Sequence, residues 1–263
     1  MDLGLAGKVA IITGGSQGIG KTTASAMVSE GALVVICARR LDILEAAAKD
    51  IEILTGGEIL PVQADVSEPT QTKELVDKTI NTYGRLDILV NNAGTRATSH
   101  FSDLNDEDWQ NDLDLKLFPA IRLSRLAIPY MKQSGDGRII NVTNLGGRAP
   151  GPSSVPTSVS RAAGIALTKA MSKDYAADNI LINTVCIGWI KSSQHERQWI
   201  AEKQLDEDLS KDDFYNKMAT DIPIGRVGET DEAAAVITFL ASAKASYITG
   251  VAINIDGGFS AII

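Results

Sequence analysis

Val9-Ala-Ile-Ile-Thr13 runs directly into Gly14-Gly15-Ser16-Gln17-Gly18-Ile19-Gly20, and a helix-prone stretch to Glu30 follows. The β-branched run predicts a strand. Four glycines within seven residues predict a tight turn whose backbone can approach a ligand closely. A helix that starts at such a turn aims free N–H groups and the positive end of its dipole at the same point. That is the arrangement that receives a pyrophosphate. A glycine-rich turn also serves as a plain connection, so the flanking chain decides its meaning.

Outward from this turn, strand and helix patterns alternate to the far end. Leu33–Ala38, 59–63, 88–91, 138–143, 180–185 and 251–255 read as strands. Helical periodicity fills 41–54, 70–83, 106–131, 157–178 and 230–241. Continuous apolar strands separated by helices imply a parallel sheet covered on both faces, so the prediction is one doubly wound α/β domain over residues 1–263. One segment breaks the rhythm. Residues 191–221 are polar and helix-prone, a lid-like insertion over the carboxyl edge of the sheet. Trp189, Trp199, Leu205 and Phe214 in and beside it either wall a pocket or pack a core.

Composition narrows the partners. The formal net charge is −8 and no basic run occurs, which argues against nucleic acid and against a membrane surface. Apolar runs fall well short of the ~20 residues of a membrane span. The first strand begins near Lys8, which leaves no room for a leader, so the expected location is the cytoplasm. Cys37 and Cys186 both sit in strand-like runs and are expected as reduced, buried thiols.

Further motifs occur in order: Asp65-Val66 after the third strand, Asn91-Asn92-Ala93-Gly94 after the fourth, Ile222-Pro-Ile-Gly-Arg-Val-Gly228, Ser246-Tyr-Ile-Thr-Gly250 and Asp256-Gly-Gly258. Together with the opening turn they resemble the short-chain dehydrogenase/reductase family along nearly the whole chain. The resemblance implies a Rossmann-type fold, a nicotinamide dinucleotide, a small-molecule substrate and a homotetramer or homodimer. It implies that Gly14, Ser16, Gln17 and Ile19 line the phosphates, Asp65 and Val66 the adenine, and Asn91 a ribose. Ile190 and Ser192 fit the segment that touches the nicotinamide, although Ile187-Gly188 stands where the family has Pro-Gly.

The choice between NADP and NAD turns on the end of the second strand. An acidic residue there would bind the ribose 2′-hydroxyl, whereas this chain has Ala38-Arg39-Arg40. Arg39 can pair with a 2′-phosphate, so NADP(H) is expected ahead of NAD(H).

The family's chemistry uses a serine, a tyrosine, a lysine four residues on, and a helix asparagine. By position these are Asn144, Thr157, Arg161 and Lys116 here. An aliphatic hydroxyl starts far above tyrosine's pKa of about 10, so Thr157 cannot replace it as an acid. Arg161 can hold a ribose, Asn144 can donate to a substrate oxygen, and Lys116 can reach the site or turn to solvent. His100 and His195, both in loops at the carboxyl edge, are the alternative proton donors. Halohydrin dehalogenases resemble the same family but lose the glycine-rich turn that this chain keeps. Two readings stand: an NADP-dependent oxidoreductase of a small carbonyl or alcohol with an altered proton donor, or a nucleotide-binding pseudoenzyme acting as sensor or support subunit.

Overall fold

A computed structural model describes residues 1–262. The apolar C-terminal stretch that begins at Phe259 ends in Ile263, which lies outside the described residues. The chain forms, in order, β1 (Val9–Thr13), α1 (Gly18–Ser29), β2 (Leu33–Ala38), α2 (Leu41–Thr55), β3 (Ile59–Gln63), α3 (Pro69–Tyr83), β4 (Ile88–Asn91), β5 (Thr98–Ser99), α4 (Asp106–Lys116), α5 (Phe118–Ser134) and β6 (Gly137–Asn144). It continues through β7 (Val155–Pro156), α6 (Thr157–Tyr175), β8 (Ile180–Ile187), α7 (Ser193–Lys203), α8 (Lys211–Ala219), α9 (Thr230–Ala241) and β9 (Ala252–Ile255).

Among the described residues seven strands form one sheet in the order β3-β2-β1-β4-β6-β8-β9, every pair parallel. This is the single-domain, doubly wound Rossmann-type fold expected from the strand and helix alternation. Strand alternation divides the core into two layers. Ala10 and Ile12 of β1 pack with Val34 and Ile36 of β2 under α1, α2 and α9. Val9 and Ile11 pack with Val35 and Cys37 against α3 and α5. Both faces of β1 are fully buried, which accounts for its unbroken apolar run. Cys37 and Cys186 are buried and free.

Two expected boundaries differ. The stretch 106–131 is two helices, because Pro119 has no N–H to continue the ladder and the chain bends at Leu117. The insertion at 191–221 is also two helices, started by Ser192 and Ser210, whose hydroxyls accept from the backbone of His195 and Asp213. No helix among the described residues is long and apolar enough to cross a membrane.

The sheet order reverses between β1 and β4. β2 and β3 lie on one side of β1, and β4, β6 and β8 on the other, so a crevice opens at their carboxyl ends.

Candidate active site

The turn after β1 is built for close approach. Gly14 has φ +66°, and a Cβ on Gly20 would lie 2.3 Å from the Gly14 carbonyl oxygen. Asn92 locks the turn from outside, its Nδ2 donating to the Thr13 carbonyl at 2.9 Å. The N-terminus of α1 has no side-chain cap and no acid in its first turn, so its N–H groups and dipole face the crevice unneutralised.

From there a cleft of about 950 Å³ runs along the carboxyl edge of the sheet. Gly14, Ser16, Gln17, Ile19 and Arg39 line the end that follows β1 and β2, Asn144, Arg161 and Ile190 the end that follows β6 and β8, and Ser192 lines the cleft beside Ser16 and Gln17. Arg40 joins Arg39 at the first end and donates to Gln17 at 3.5 Å. Asp65, Val66 and Asn91 are not among the lining residues. Asp65 accepts from Ser67, and Asn91 is buried with its amide donating to Asn141 at 2.8 Å.

The positions expected to carry chemistry separate into two groups. Asn144, at the end of β6, faces the cleft, with its Oδ1 buried and without a partner among the described residues. Arg161 reaches the cleft from α6. Its Nη1 donates to the Val142 carbonyl at 2.8 Å, its Nε is unpartnered, and burial pulls its pKa down to about 10. The guanidinium therefore stays charged at neutral pH.

Thr157 and Lys116 lie behind the wall instead. Thr157 Oγ1 donates to the Ala97 carbonyl at 2.6 Å and accepts from the Ala97 N–H at 3.0 Å. The Lys116 ammonium is buried in contact with Asp112 and also donates to Thr157 at 2.7 Å. Asp112 takes a further bond from Ser160 at 2.6 Å. Burial pulls Lys116 down to about 8; Asp112 opposes this and Arg161 adds to it. This network joins the loop after β4 to the start of α6, beside the small β5–β7 ladder.

The two histidines also part company. His100 is exposed, hydrogen-bonded to Ser102 at 2.8 Å, and does not line the cleft. His195, in the first turn of α7, lines it beside Trp189, with ring centroids 5.8 Å apart. Its Nδ1 is buried without a partner among the described residues, and burial followed by the nearby Arg96 charge lowers its pKa. Among the described residues no tyrosine, lysine, aspartate or glutamate lines this cleft, although Asp50, Lys191, Glu196 and Tyr215 line an adjoining pocket that shares Ser16, Gln17 and Ser192 with it. His195 is thus the one lining side chain that exchanges a proton near neutral pH.

Of the four aromatic and aliphatic residues around the insertion, Trp189 alone faces the cleft. Phe214, on α8, is buried, Leu205 is exposed, and Trp199 donates to the Leu209 carbonyl. Arg96 and Arg197 line the cleft without having been singled out in the sequence, and so does Phe259, which was noted only as part of the apolar C-terminal stretch. The available signal was adjacency: Arg96 follows Asn91-Asn-Ala-Gly94, and Phe259 follows Asp256-Gly-Gly258.

The family model for short chain dehydrogenases matches residues 8–204. The chain belongs to the short-chain dehydrogenase family. A 3-oxoacyl-[acyl-carrier-protein] reductase of Thermotoga maritima is 36% identical over 254 residues, covering 97% of this chain and 98% of that protein. L-Sorbose reductase from Gluconobacter frateurii, solved with NADPH and L-sorbose, superposes with a TM-score of 0.93 at 33% identity over 100% of both chains. A short-chain oxidoreductase from Pseudomonas aeruginosa PAO1, described as containing an atypical catalytic center, gives a TM-score of 0.91 in its NADPH-bound form. It is 33% identical, over 99% of each chain.

Proposed function

We propose that this protein is an NADP(H)-dependent oxidoreductase of small carbonyl or alcohol substrates in which His195 handles the proton. The observation behind this reading is the single cleft that joins a phosphate-ready turn to Asn144, Arg161 and His195. The donor set suits the cofactor. Ser16, Gln17 and the first turn of α1 would hold the pyrophosphate, and the arginine pair after β2 would hold a 2′-phosphate. Arg161, fixed by the Val142 carbonyl, would hold the nicotinamide ribose.

Bound there, NADPH supplies the hydride that reduces a carbonyl carbon. The Asn144 amide N–H polarises the substrate oxygen, as an oxyanion-hole donor does. His195 delivers the proton that this oxygen takes up, in the place that the family gives to tyrosine. Thr157 has no part in the transfer in this reading. The solved relatives with NADPH, one of them described as having an atypical center, support an active enzyme with an altered donor. Two buried free thiols and an NADPH requirement suit the cytoplasm. The exposed Val159 of α6, with Phe239 and Tyr247, suits a homo-oligomer, tetramer or dimer.

One observation favours the second reading, a nucleotide-binding pseudoenzyme: Thr157 is locked away behind the cleft wall. A screen of NADPH oxidation against aldehydes, ketones and quinones separates the two. Turnover on any of them supports the enzyme, and tight NADPH binding with no turnover across the panel supports the pseudoenzyme.

A further inference from the structure

The charge of the cleft is opposite to that of the chain. Although the protein carries a net −8, its cleft is lined by Arg39, Arg40, Arg96, Arg161 and Arg197 and by no acid among the described residues. Elsewhere Arg85, Arg122, Arg138 and Arg226 pair with carboxylates, while Arg125 forms no ion pair among the described residues. In the cleft Arg39 meets Asp65 only at 4.0 Å, and Arg40, Arg96, Arg161 and Arg197 form no ion pair among the described residues.

The fold divides these arginines between two jobs. Arg39 and Arg40 leave β2, on one side of the reversal between β1 and β4, while Arg96 follows β4 and Arg197 follows β8 on the other side. A dinucleotide phosphate concentrates its anionic groups at the pyrophosphate and the 2′-phosphate. The first side and the N-terminus of α1 already answer them. Arg161 is occupied with the Val142 carbonyl, which leaves Arg96 and Arg197 without an assignment at the substrate end. Their placement is tied. Gln194 Oε1 accepts from the Arg96 backbone N–H at 3.2 Å, which joins the loop after β4 to α7. Arg197 stands three residues on from Gln194, one turn along the same helix face. Arg96 Nε is held by Thr98 at 3.1 Å, and its outer nitrogens have no side-chain partner among the described residues and can receive a ligand. A cleft of one sign focuses its field, and a guanidinium presents paired donors to carboxylate or phosphate.

Building on the proposed oxidoreductase reading, we propose that the substrate is a small carbonyl compound bearing an anionic group, carboxylate or phosphate, which Arg96 and Arg197 receive at the mouth of the cleft.

The test uses the full chain, parent and the double variant Arg96→Gln with Arg197→Gln. The probes are a series of straight-chain oxo acids and their methyl esters, and hydroxyacetone phosphate with hydroxyacetone. Binding is read by calorimetry with and without NADPH, and turnover by NADPH oxidation. The expected result is acid or phosphate favoured over its neutral partner by about tenfold or more, one charge-assisted hydrogen bond's worth. The preference should collapse in the double variant while NADPH affinity holds. The acid and phosphate arms tell the two anions apart. Equal binding of charged and neutral partners, a preference that survives in the double variant, or binding of neither would overturn the inference. Failure of NADPH to bind would instead strike the oxidoreductase reading, and the cofactor-free calorimetry would still judge the arginines.

Discussion

The Lys116 ammonium donates to the Thr157 hydroxyl at 2.7 Å, and that hydroxyl spends its only proton on the Ala97 carbonyl. Thr157 therefore works as a staple between the loop after β4 and the first turn of α6. Thr157→Val removes partners from Lys116 and from both backbone groups of Ala97. The expected cost is about 1–3 kcal/mol of folding stability, read by denaturant unfolding. NADPH affinity should be unchanged. Full stability with abolished turnover would return Thr157 to the reacting groups.

Arg39→Ala tests the cofactor choice. Removing one charge-assisted contact to a 2′-phosphate should weaken NADPH by about tenfold or more and leave NADH nearly untouched. Fluorescence titration of both cofactors against parent and variant gives the answer. Equal affinity of the parent for the two would refute the NADP preference.

Lys116 gives a pH signature. Its folded value of about 8 lies below the unfolded value of about 10.4. Between these limits the unfolded chain binds more protons than the folded one, so stability rises with pH across that window. The difference in unfolding free energy between parent and Lys116→Gln should shift toward the parent from pH 8 to 10.5, by roughly 1–3 kcal/mol. A flat difference would mean that Asp112 holds the ammonium at its ordinary value.

Much of this was legible because the decisive signals are local. Thr13 to Gly20, with a strand before it and a helix after it, announces a phosphate turn, and Arg39-Arg40 follows the second strand at a position the fold makes meaningful. The missed features depend on distance in space. Nothing near Arg96 in the sequence shows that Gln194 will hold its loop, 98 residues away. His100 and His195 looked equivalent as loop histidines. They differ because Ser192 starts α7 and turns His195 inward beside Trp189, whereas His100 caps a short surface turn. Thr157 and Lys116 stand at the positions that the family resemblance marks for chemistry, but both are buried behind the wall through Asp112 and Ala97, which carried no signal of their own.

His195 is where the account is tested most directly. Burial and Arg96 hold its pKa below the ordinary histidine value of about 6.5. Carbonyl reduction needs the imidazolium, so its rate should fall as pH rises through that lowered value, while alcohol oxidation should rise over the same window. The decisive measurement is kcat/KM for NADPH-dependent carbonyl reduction as a function of pH, in the parent and in His195→Ala. The account predicts a limb below pH 6.5 in the parent, and a variant that is about 10²–10⁴-fold slower, lacks that limb and binds NADPH normally. A variant with the parent's rate and the parent's pH profile would contradict it.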